Sequence, residues 1–237
     1  LKQVRDQNMP AIIYDKGCDL IKTFYRTGDL LLNPLDERSQ PWNVWAECAD
    51  SADFDALSAA LMPHPMGGAD PFWINAARTI FAATALSLKD HSHRSNLLLL
   101  EFLFTADLKA LQLLLKGTEA ESLVSEQAAK TVLSIKSVLA TYTKSLRFLK
   151  DSQTPFSIKQ WIKNESKNSN WLFITSSGDK HETLKPLIST WLNTAANALL
   201  SLEPNRERRL WLFLDELPTL HRLPYLPEAF AEARKFG

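Results

Sequence analysis

Cysteine is scarce in this chain, which contains two cysteines, Cys18 and Cys48, among 237 residues. They lie far apart in the sequence and show neither the paired spacing of a zinc site nor the dense pattern of a disulfide-linked fold. We therefore expect two free, unreactive thiols in a protein of a reducing compartment.

Net charge is also lacking, because 27 lysines and arginines balance 27 aspartates and glutamates. Without an overall basic field, any contact with DNA has to be local. No uninterrupted apolar run reaches the roughly 18 residues of a membrane-spanning helix, and no secretory signal peptide is present. The hydrophobic content of 45% is that of a globular protein with a sizeable core.

Both ends of the chain look cut. The sequence begins at Leu1 without methionine and finishes at Arg234–Gly237, in a segment that reads as the end of a helix. We expect the chain to be an internal piece of a longer protein.

The most informative stretch runs from Leu210 to Leu217. Five apolar residues lead directly into two carboxylates, Asp215 and Glu216, which predicts a strand buried on both faces with acidic side chains at its carboxyl end. Sheets of α/β proteins place their ligands at that end. The first carboxylate could hold a hydrated Mg²⁺ and the second could orient a water that attacks a phosphate, as in the Walker B pattern of P-loop ATPases. The alternative is a core strand that ends in a charged surface turn.

Short apolar runs bounded by Pro, Gly or Asn predict further strands at Ala11–Tyr14, Asp29–Asn33 and Trp171–Ile174. A short helix fits between the first two, and a helix beginning near Leu184 fits before the Leu210 strand. The alternation of strand and helix indicates a parallel sheet.

Between these α/β segments the pattern is helical throughout. We therefore predict an α/β domain interrupted by an all-α insertion, with a first α/β part at 1–46, the insertion at 47–168 and a second α/β part at 169–237. Basic and acidic residues balance over 47–167, which favours a structural or partner-docking role for the insertion rather than a DNA groove.

Capping residues and apolar spacing mark the helices of this insertion. Asp70, Ser95 and Thr105 stand where N-caps are expected, and Trp73 is assigned to the buried face of the helix that Asp70 begins. Apolar residues from Ala128 to Leu149 alternate steps of four and three, which indicates a long core helix of a bundle, or alternatively a coiled-coil dimer.

A series of short motifs follows the order found in one protein family. These motifs are Ile13-Tyr14-Asp15, Leu31-Leu32-Asn33-Pro34 with Arg38, Asp70-Pro71-Phe72-Trp73, Trp171-Leu172-Phe173-Ile174, Leu184-Lys185-Pro186, Asp215-Glu216-Leu217-Pro218, and Glu232-Ala233-Arg234-Lys235. Over essentially its whole length the chain resembles the TraD-type conjugative coupling proteins, which are relatives of the FtsK-like hexameric DNA translocases.

The resemblance implies an incomplete RecA-like motor domain, with a mostly parallel sheet, that carries an all-α insertion. Proteins of this family form hexamers on the cytoplasmic side of the bacterial inner membrane. They use ATP hydrolysis to drive single-stranded plasmid DNA and its relaxase into a type IV secretion channel.

The resemblance also implies roles for particular residues. Asp215 would bind Mg²⁺ through water, Glu216 would position the attacking water, and Arg234 would reach the nucleotide of a neighbouring subunit. A guanidinium suits that task, because it is always charged and binds phosphate through two hydrogen bonds. Asp15 and His221 are further candidates near the nucleotide.

One motif of the family is missing from the sequence. The Gly-x-x-x-x-Gly-Lys-Ser/Thr loop, which grips the phosphates of ATP, does not occur in the 237 residues and is expected just upstream of Leu1. The family's transmembrane helices are expected further upstream, and a glutamine-containing strand after Gly237. We therefore expect this chain alone not to hydrolyse ATP. The alternative function is a docking module whose helical insertion recognises relaxosome or channel proteins.

Overall fold

The chain leaves an α/β unit at Pro41, forms a helical unit from Trp42 to Gln153, and re-enters the α/β unit at Thr154. This division is seen in a computed structural model that describes residues 1–64, 70–164 and 169–236. The predicted fold class, an α/β fold with a parallel sheet interrupted by an all-α insertion, is confirmed.

The regular elements of the described residues are named in chain order. The strands are β1 (Ala11–Lys16), β2 (Leu30–Leu32), β3 (Trp171–Ser176) and β4 (Trp211–Leu214). The helices are α1 (Lys2–Asp6), α2 (Asp19–Phe24), α3 (Ser51–Leu61), α4 (Pro71–Ser87), α5 (Asn96–Phe104), α6 (Leu108–Leu115), α7 (Ala129–Thr143), α8 (Ile158–Lys163), α9 (His181–Leu200) and α10 (Leu226–Phe236). Within the described ranges, no helix combines the length and apolar character that a membrane span requires.

The sheet is parallel, with the strand order β2-β3-β1-β4. Ile13 of β1 lies level with Phe173 of β3 and Phe213 of β4, so three apolar side chains form one row across the sheet. All of β3 is buried, and α9 packs against it. This register brings the carboxyl ends of β1, β3 and β4 to one edge.

β4 lies at the edge of the described sheet, so the expected burial of this strand on both faces is wrong. Its residues are partly exposed, and the Trp211 side chain is 42% exposed. An apolar run predicts a strand but does not predict where the strand lies in the sheet. In the observed order, β4 follows β1 and has no neighbour on its other side among the described strands.

Two of the three predicted N-caps in the helical unit are confirmed. Asp70 Oδ1 accepts from the backbone N–H of Phe72, and Ser95 Oγ accepts from that of Leu98. The prediction for Thr105 is wrong, because Thr105 ends α5 and the next helix is capped by Asp107, whose carboxylate accepts from Ala110 N at 2.7 Å. A carboxylate is the better partner for the positive end of a helix dipole.

The apolar stripe that predicted a long core helix belongs to α7. Val132, Ile135 and Leu139 are buried along α7, and a 3₁₀ segment, Lys144–Phe148, continues the stripe through buried Leu146.

Trp73 does not face the core as expected, because the first turn of α4 is exposed. The Trp73 side chain is 37% exposed and contacts Phe72 edge to face, with ring centroids 5.1 Å apart. The buried face begins with Ile74 and Ala76, one turn into the helix.

Candidate functional site

The two predicted acidic residues lie at the carboxyl edge of the parallel sheet, where α/β proteins bind their ligands. Asp215 directly follows β4, and its backbone N–H donates to Tyr14 O at 3.1 Å, which continues the pairing with β1 by one residue. The side chains of Asp215 and Glu216 are both exposed. We call Asp215–Thr219 the carboxylate turn.

Glu216 has an unusual backbone conformation, with φ 51° and ψ 40° in the left-handed region. A glutamate in this region is strained, and such strain persists where the surrounding structure enforces it. The enforcing bonds come from Thr219, whose N–H and Oγ donate to Glu216 O at 2.9 and 2.8 Å. The Glu216 carboxylate forms an ion pair with Lys16, with Nζ 2.8 Å from Oε2.

Thr219 in turn is held by a polar network whose other members, Tyr14, Ser176 and His181, are buried. Because its hydroxyl hydrogen is used toward Glu216, the Tyr14 hydroxyl donates to Thr219 Oγ1, at 3.1 Å. His181 Nε2 lies 3.3 Å from Thr219 O, and Nδ1 lies 2.9 Å from the hydroxyl of Ser176. A carbonyl only accepts, so Nε2 carries a proton. The network ties β1, the end of β3 and the start of α9 to the carboxylate turn.

This network could not be predicted from the sequence, because its members come from separate segments. The only local signal was the polar run Thr175–Gly178, directly after a buried strand at the ligand edge. Burial raises the pKa of the Tyr14 hydroxyl, and the nearby carboxylates of Glu216 and Asp215 raise it further. Tyr14 therefore stays protonated and can serve as a donor.

Asp15 is buried, and its carboxylate organises the start of α2. Its oxygens accept from the backbone N–H groups of Asp19 at 3.2 Å and Ile21 at 2.8 Å. These bonds satisfy N–H groups that a helix N-terminus leaves without partners. A direct role of Asp15 at a nucleotide stays a prediction.

His221 lies two residues beyond the carboxylate turn and is partly buried. Its backbone N–H donates to Ser189 Oγ of α9 at 3.1 Å. Burial lowers the pKa of the imidazole, and the positive charge of Lys185 lowers it further. A contact of His221 with a nucleotide or a second subunit stays a prediction.

Arg234 is exposed near the carboxyl end of α10, away from the carboxylate turn. The next residue, Lys235, accepts through its carbonyl from Asn205 N at 2.9 Å, in the loop that leads into β4. This end of α10 therefore lies beside the amino end of β4, whereas Glu216 follows the carboxyl end. The structure does not bring Arg234 and Glu216 together within one chain.

The donor atoms of this edge suit a hydrated magnesium ion. Mg²⁺ prefers oxygen ligands, retains several waters and commonly uses one or two carboxylates together with phosphates. The exposed carboxylate of Asp215 fits such a role. Within residues 1–64, 70–164 and 169–236, no three His, Cys, Asp or Glu side chains form a group that could hold a metal ion by themselves.

The complete chain, residues 1–237, matches the family model of the type IV secretion-system coupling protein DNA-binding domain. Coupling protein TraD of Escherichia coli (strain K12) is 41% identical over 240 residues, which cover 98% of this chain and 33% of TraD. The chain thus spans one third of that curated relative.

Solved structures of the plasmid coupling protein TrwB have the same fold. TrwBdeltaN70 in its unbound monoclinic form aligns with a TM-score of 0.88 at 31% identity, covering 98% of this chain and 54% of the TrwB chain. TrwB in complex with the ATP analogue ADPNP aligns with a TM-score of 0.87, and TrwB in complex with ADP and Mg²⁺ with 0.88, each at 31% identity over 98% of this chain and 55% of that one. The match confirms the predicted RecA-like fold.

Proposed function

Because the chain belongs to the family of type IV secretion-system coupling protein DNA-binding domains, we propose that it forms part of an ATP-driven motor for conjugative DNA transfer. This motor drives single-stranded plasmid DNA and its relaxase into a type IV secretion channel. The observation that carries the proposal is the exposed pair Asp215 and Glu216 at the carboxyl edge of a parallel sheet. The complexes of TrwB with ADPNP and with ADP and Mg²⁺ support ATP and Mg²⁺ as the ligands.

The two carboxylates have different tasks in this proposal. Asp215 would hold Mg²⁺ through water, and the ion would supply charge stabilisation at the phosphates. Glu216 accepts a hydrogen bond from the attacking water and orients it. The bonds from Thr219 to Glu216 O support this role, because a water-positioning group needs a fixed backbone.

Arg234 acts on a neighbouring subunit in the same proposal. In a hexamer on the cytoplasmic side of the bacterial inner membrane, its guanidinium reaches the next subunit's nucleotide and stabilises the transferring phosphoryl group. Its place beside the amino end of β4 supports action between subunits rather than within one. Arginine fingers of this kind contribute roughly 10³–10⁵ in rate.

The central test replaces the water-positioning carboxylate. Since the phosphate-binding loop is not among the 237 residues, the test uses a longer chain extended upstream of Leu1 to include that loop. Glu216→Gln keeps the shape but accepts protons poorly, so DNA-stimulated ATP turnover falls by about 100-fold or more. Binding of a fluorescent ATP analogue is retained.

Glu207→Gln, in the exposed loop before β4, is the matched control and keeps the wild-type rate. Unchanged turnover in Glu216→Gln contradicts the assignment of Glu216. The 237-residue chain alone, measured in parallel, shows no Mg²⁺-dependent turnover.

A docking module is the second candidate function. The observation that favours it is the separate helical unit, Trp42–Gln153, in which Leu97, Leu113 and Leu133 are exposed. Nucleotide-dependent oligomerisation of the upstream-extended chain separates the two proposals. The motor requires it, whereas a docking module without catalysis does not.

A further inference from the structure

The functional roles assigned above do not use the ion pair between Lys16 and Glu216. Lys16 is the last residue of β1, and Glu216 is the second residue after the neighbouring strand β4. The register aligns Tyr14 with Leu214, and the bond from Asp215 N to Tyr14 O continues it, so Lys16 lies level with Glu216. The closest nitrogen–oxygen distance is 2.8 Å.

The hydrogen bonds that fix the main chain of Glu216 do not fix the orientation of its side chain. Thr219, itself held by Tyr14 and His181, bonds to the Glu216 carbonyl, so these bonds fix the main chain of Glu216 rather than its carboxylate. Lys16 is the group that the structure places on that carboxylate. It therefore favours one orientation of the Glu216 carboxylate.

The pair is accessible enough to be exchanged. The Lys16 side chain is 25% exposed and that of Glu216 is 52% exposed. Ion pairs with this exposure are weak and screened by salt, so they bias an orientation several-fold without locking it. A bound polyanion can compete for the ammonium.

We propose that Lys16 is a positioning residue that holds the Glu216 carboxylate in an ion-paired resting orientation. The pair opens when nucleotide and single-stranded DNA are bound, and the released carboxylate then orients the attacking water. This inference rests on the water-positioning role proposed for Glu216. Lys16 thereby restrains ATP turnover in the absence of DNA.

The first test detects the Lys16–Glu216 contact directly and does not depend on measuring ATP turnover. A water-soluble carbodiimide joins an amine to a carboxylate only when the two are in contact. In the 237-residue chain we expect a Lys16–Glu216 crosslink by mass spectrometry. In the upstream-extended chain its yield falls several-fold when ADPNP and single-stranded DNA are both added. Absence of the crosslink in the ligand-free chain, or an unchanged yield with both ligands, overturns the proposal.

The second test is kinetic and uses the upstream-extended chain. Lys16→Ala is expected to raise the DNA-free kcat at least threefold, to leave the KM for ATP unchanged and to reduce the stimulation by DNA. Lys16→Arg preserves the cation and restores the stimulation. Lys22→Ala, which removes another lysine ion pair, to Asp19, is the matched control and behaves as wild type.

The outcomes separate this inference from the function on which it rests. If Glu216→Gln abolishes turnover but Lys16→Ala changes neither the DNA-free rate nor the stimulation, only the restraining role of Lys16 fails. A lower DNA-free rate in Lys16→Ala also overturns that role. If Glu216→Gln keeps full turnover, the proposed function fails first, whatever the crosslink shows.

Discussion

The imidazole of His221 sits in surroundings that oppose its protonation. Burial is the main cause of its lowered pKa, Lys185 and His181 add to the effect, and Glu182 partly offsets it. In the unfolded chain the group returns to its ordinary pKa of about 6.5. As the pH falls through that value, the unfolded chain takes up the proton first, so the free energy of unfolding decreases.

Replacing His221 by Gln should therefore weaken the pH dependence of stability. The stabilising contribution of a neutral His221 is present above the unfolded pKa and is lost below it. We expect the difference in urea midpoint between about pH 7.5 and pH 5.5 to be smaller in His221→Gln than in the wild-type chain. His91→Gln, in an exposed turn, is the control. If the difference in urea midpoint between the two pH values is the same in His221→Gln as in the wild-type chain, another group causes the pH dependence.

Some residues of the candidate site could be predicted because their signal is local. Asp215 and Glu216 follow an apolar run directly, so the sequence alone places them at a strand end. The backbone strain of Glu216 and its contact with Lys16 could not be predicted, since they depend on the register of β1 against β4. Residues that become neighbours only through strand order leave no periodic pattern.

Between elements, a buried ion pair ties α1 to the sheet. Arg5 Nη1 and Nη2 donate to the Asp29 carboxylate at 3.0 and 2.5 Å, and the guanidinium stacks 3.5 Å above the Trp171 ring. Asp29 also accepts from the backbone N–H groups of Trp171 and Arg26, at 2.9 and 2.8 Å. Asp29 thus joins α1, the turn before β2, and β3.

Removing Asp29 and removing Arg5 should lower the free energy of unfolding by different amounts. Asp29→Ala leaves a buried guanidinium without its anion and two backbone donors without an acceptor, so we expect a loss of about 3–5 kcal/mol in the free energy of unfolding. Arg5→Met should cost less, because the carboxylate keeps both backbone donors. Urea unfolding of the 237-residue chain measures both, with the exposed-pair variant Lys235→Ala as control. Equal losses in the two variants would contradict the assignment of the backbone bonds.

Element starts were more predictable than element environments. Capping depends on a few adjacent residues, so the sequence predicts the N-caps Asp70 and Ser95 correctly. At the third helix the N-cap is Asp107 and not Thr105, two positions earlier. Burial depends on what packs above an element. The apolar run of β4 and the aromatic Trp73 both suggested a core position that the packing does not provide.

At the scale of the whole molecule, the α/β unit is interrupted once, and its residues on either side of the interruption lie close together. The α/β unit ends its first part at Pro41 and resumes at Thr154, and the backbone N–H of Phe156 donates to Pro41 O at 2.7 Å. The sheet draws its strands from both parts, with β1 of the first paired to β3 and β4 of the second. Within the α/β unit, the two chain segments that flank the insertion therefore lie close together.

Replacing residues 42–153 by a short Gly/Ser linker should leave a folded α/β unit. Pro41 is already hydrogen-bonded to Phe156, two residues beyond the other end to be joined, so closing a short flexible loop there costs little conformational entropy. The buried strands β1 and β3 remain paired, and α9 still packs against β3, so we expect one cooperative urea transition and a circular dichroism spectrum with strand content. The excised piece, 42–153, should be helical by itself, since it has its own buried residues around α4 and α7. In the upstream-extended chain, ATP turnover that persists without the insertion supports the motor and assigns the helical unit a separate task. A trimmed α/β unit without a cooperative transition would show that the sheet depends on the insertion for its stability.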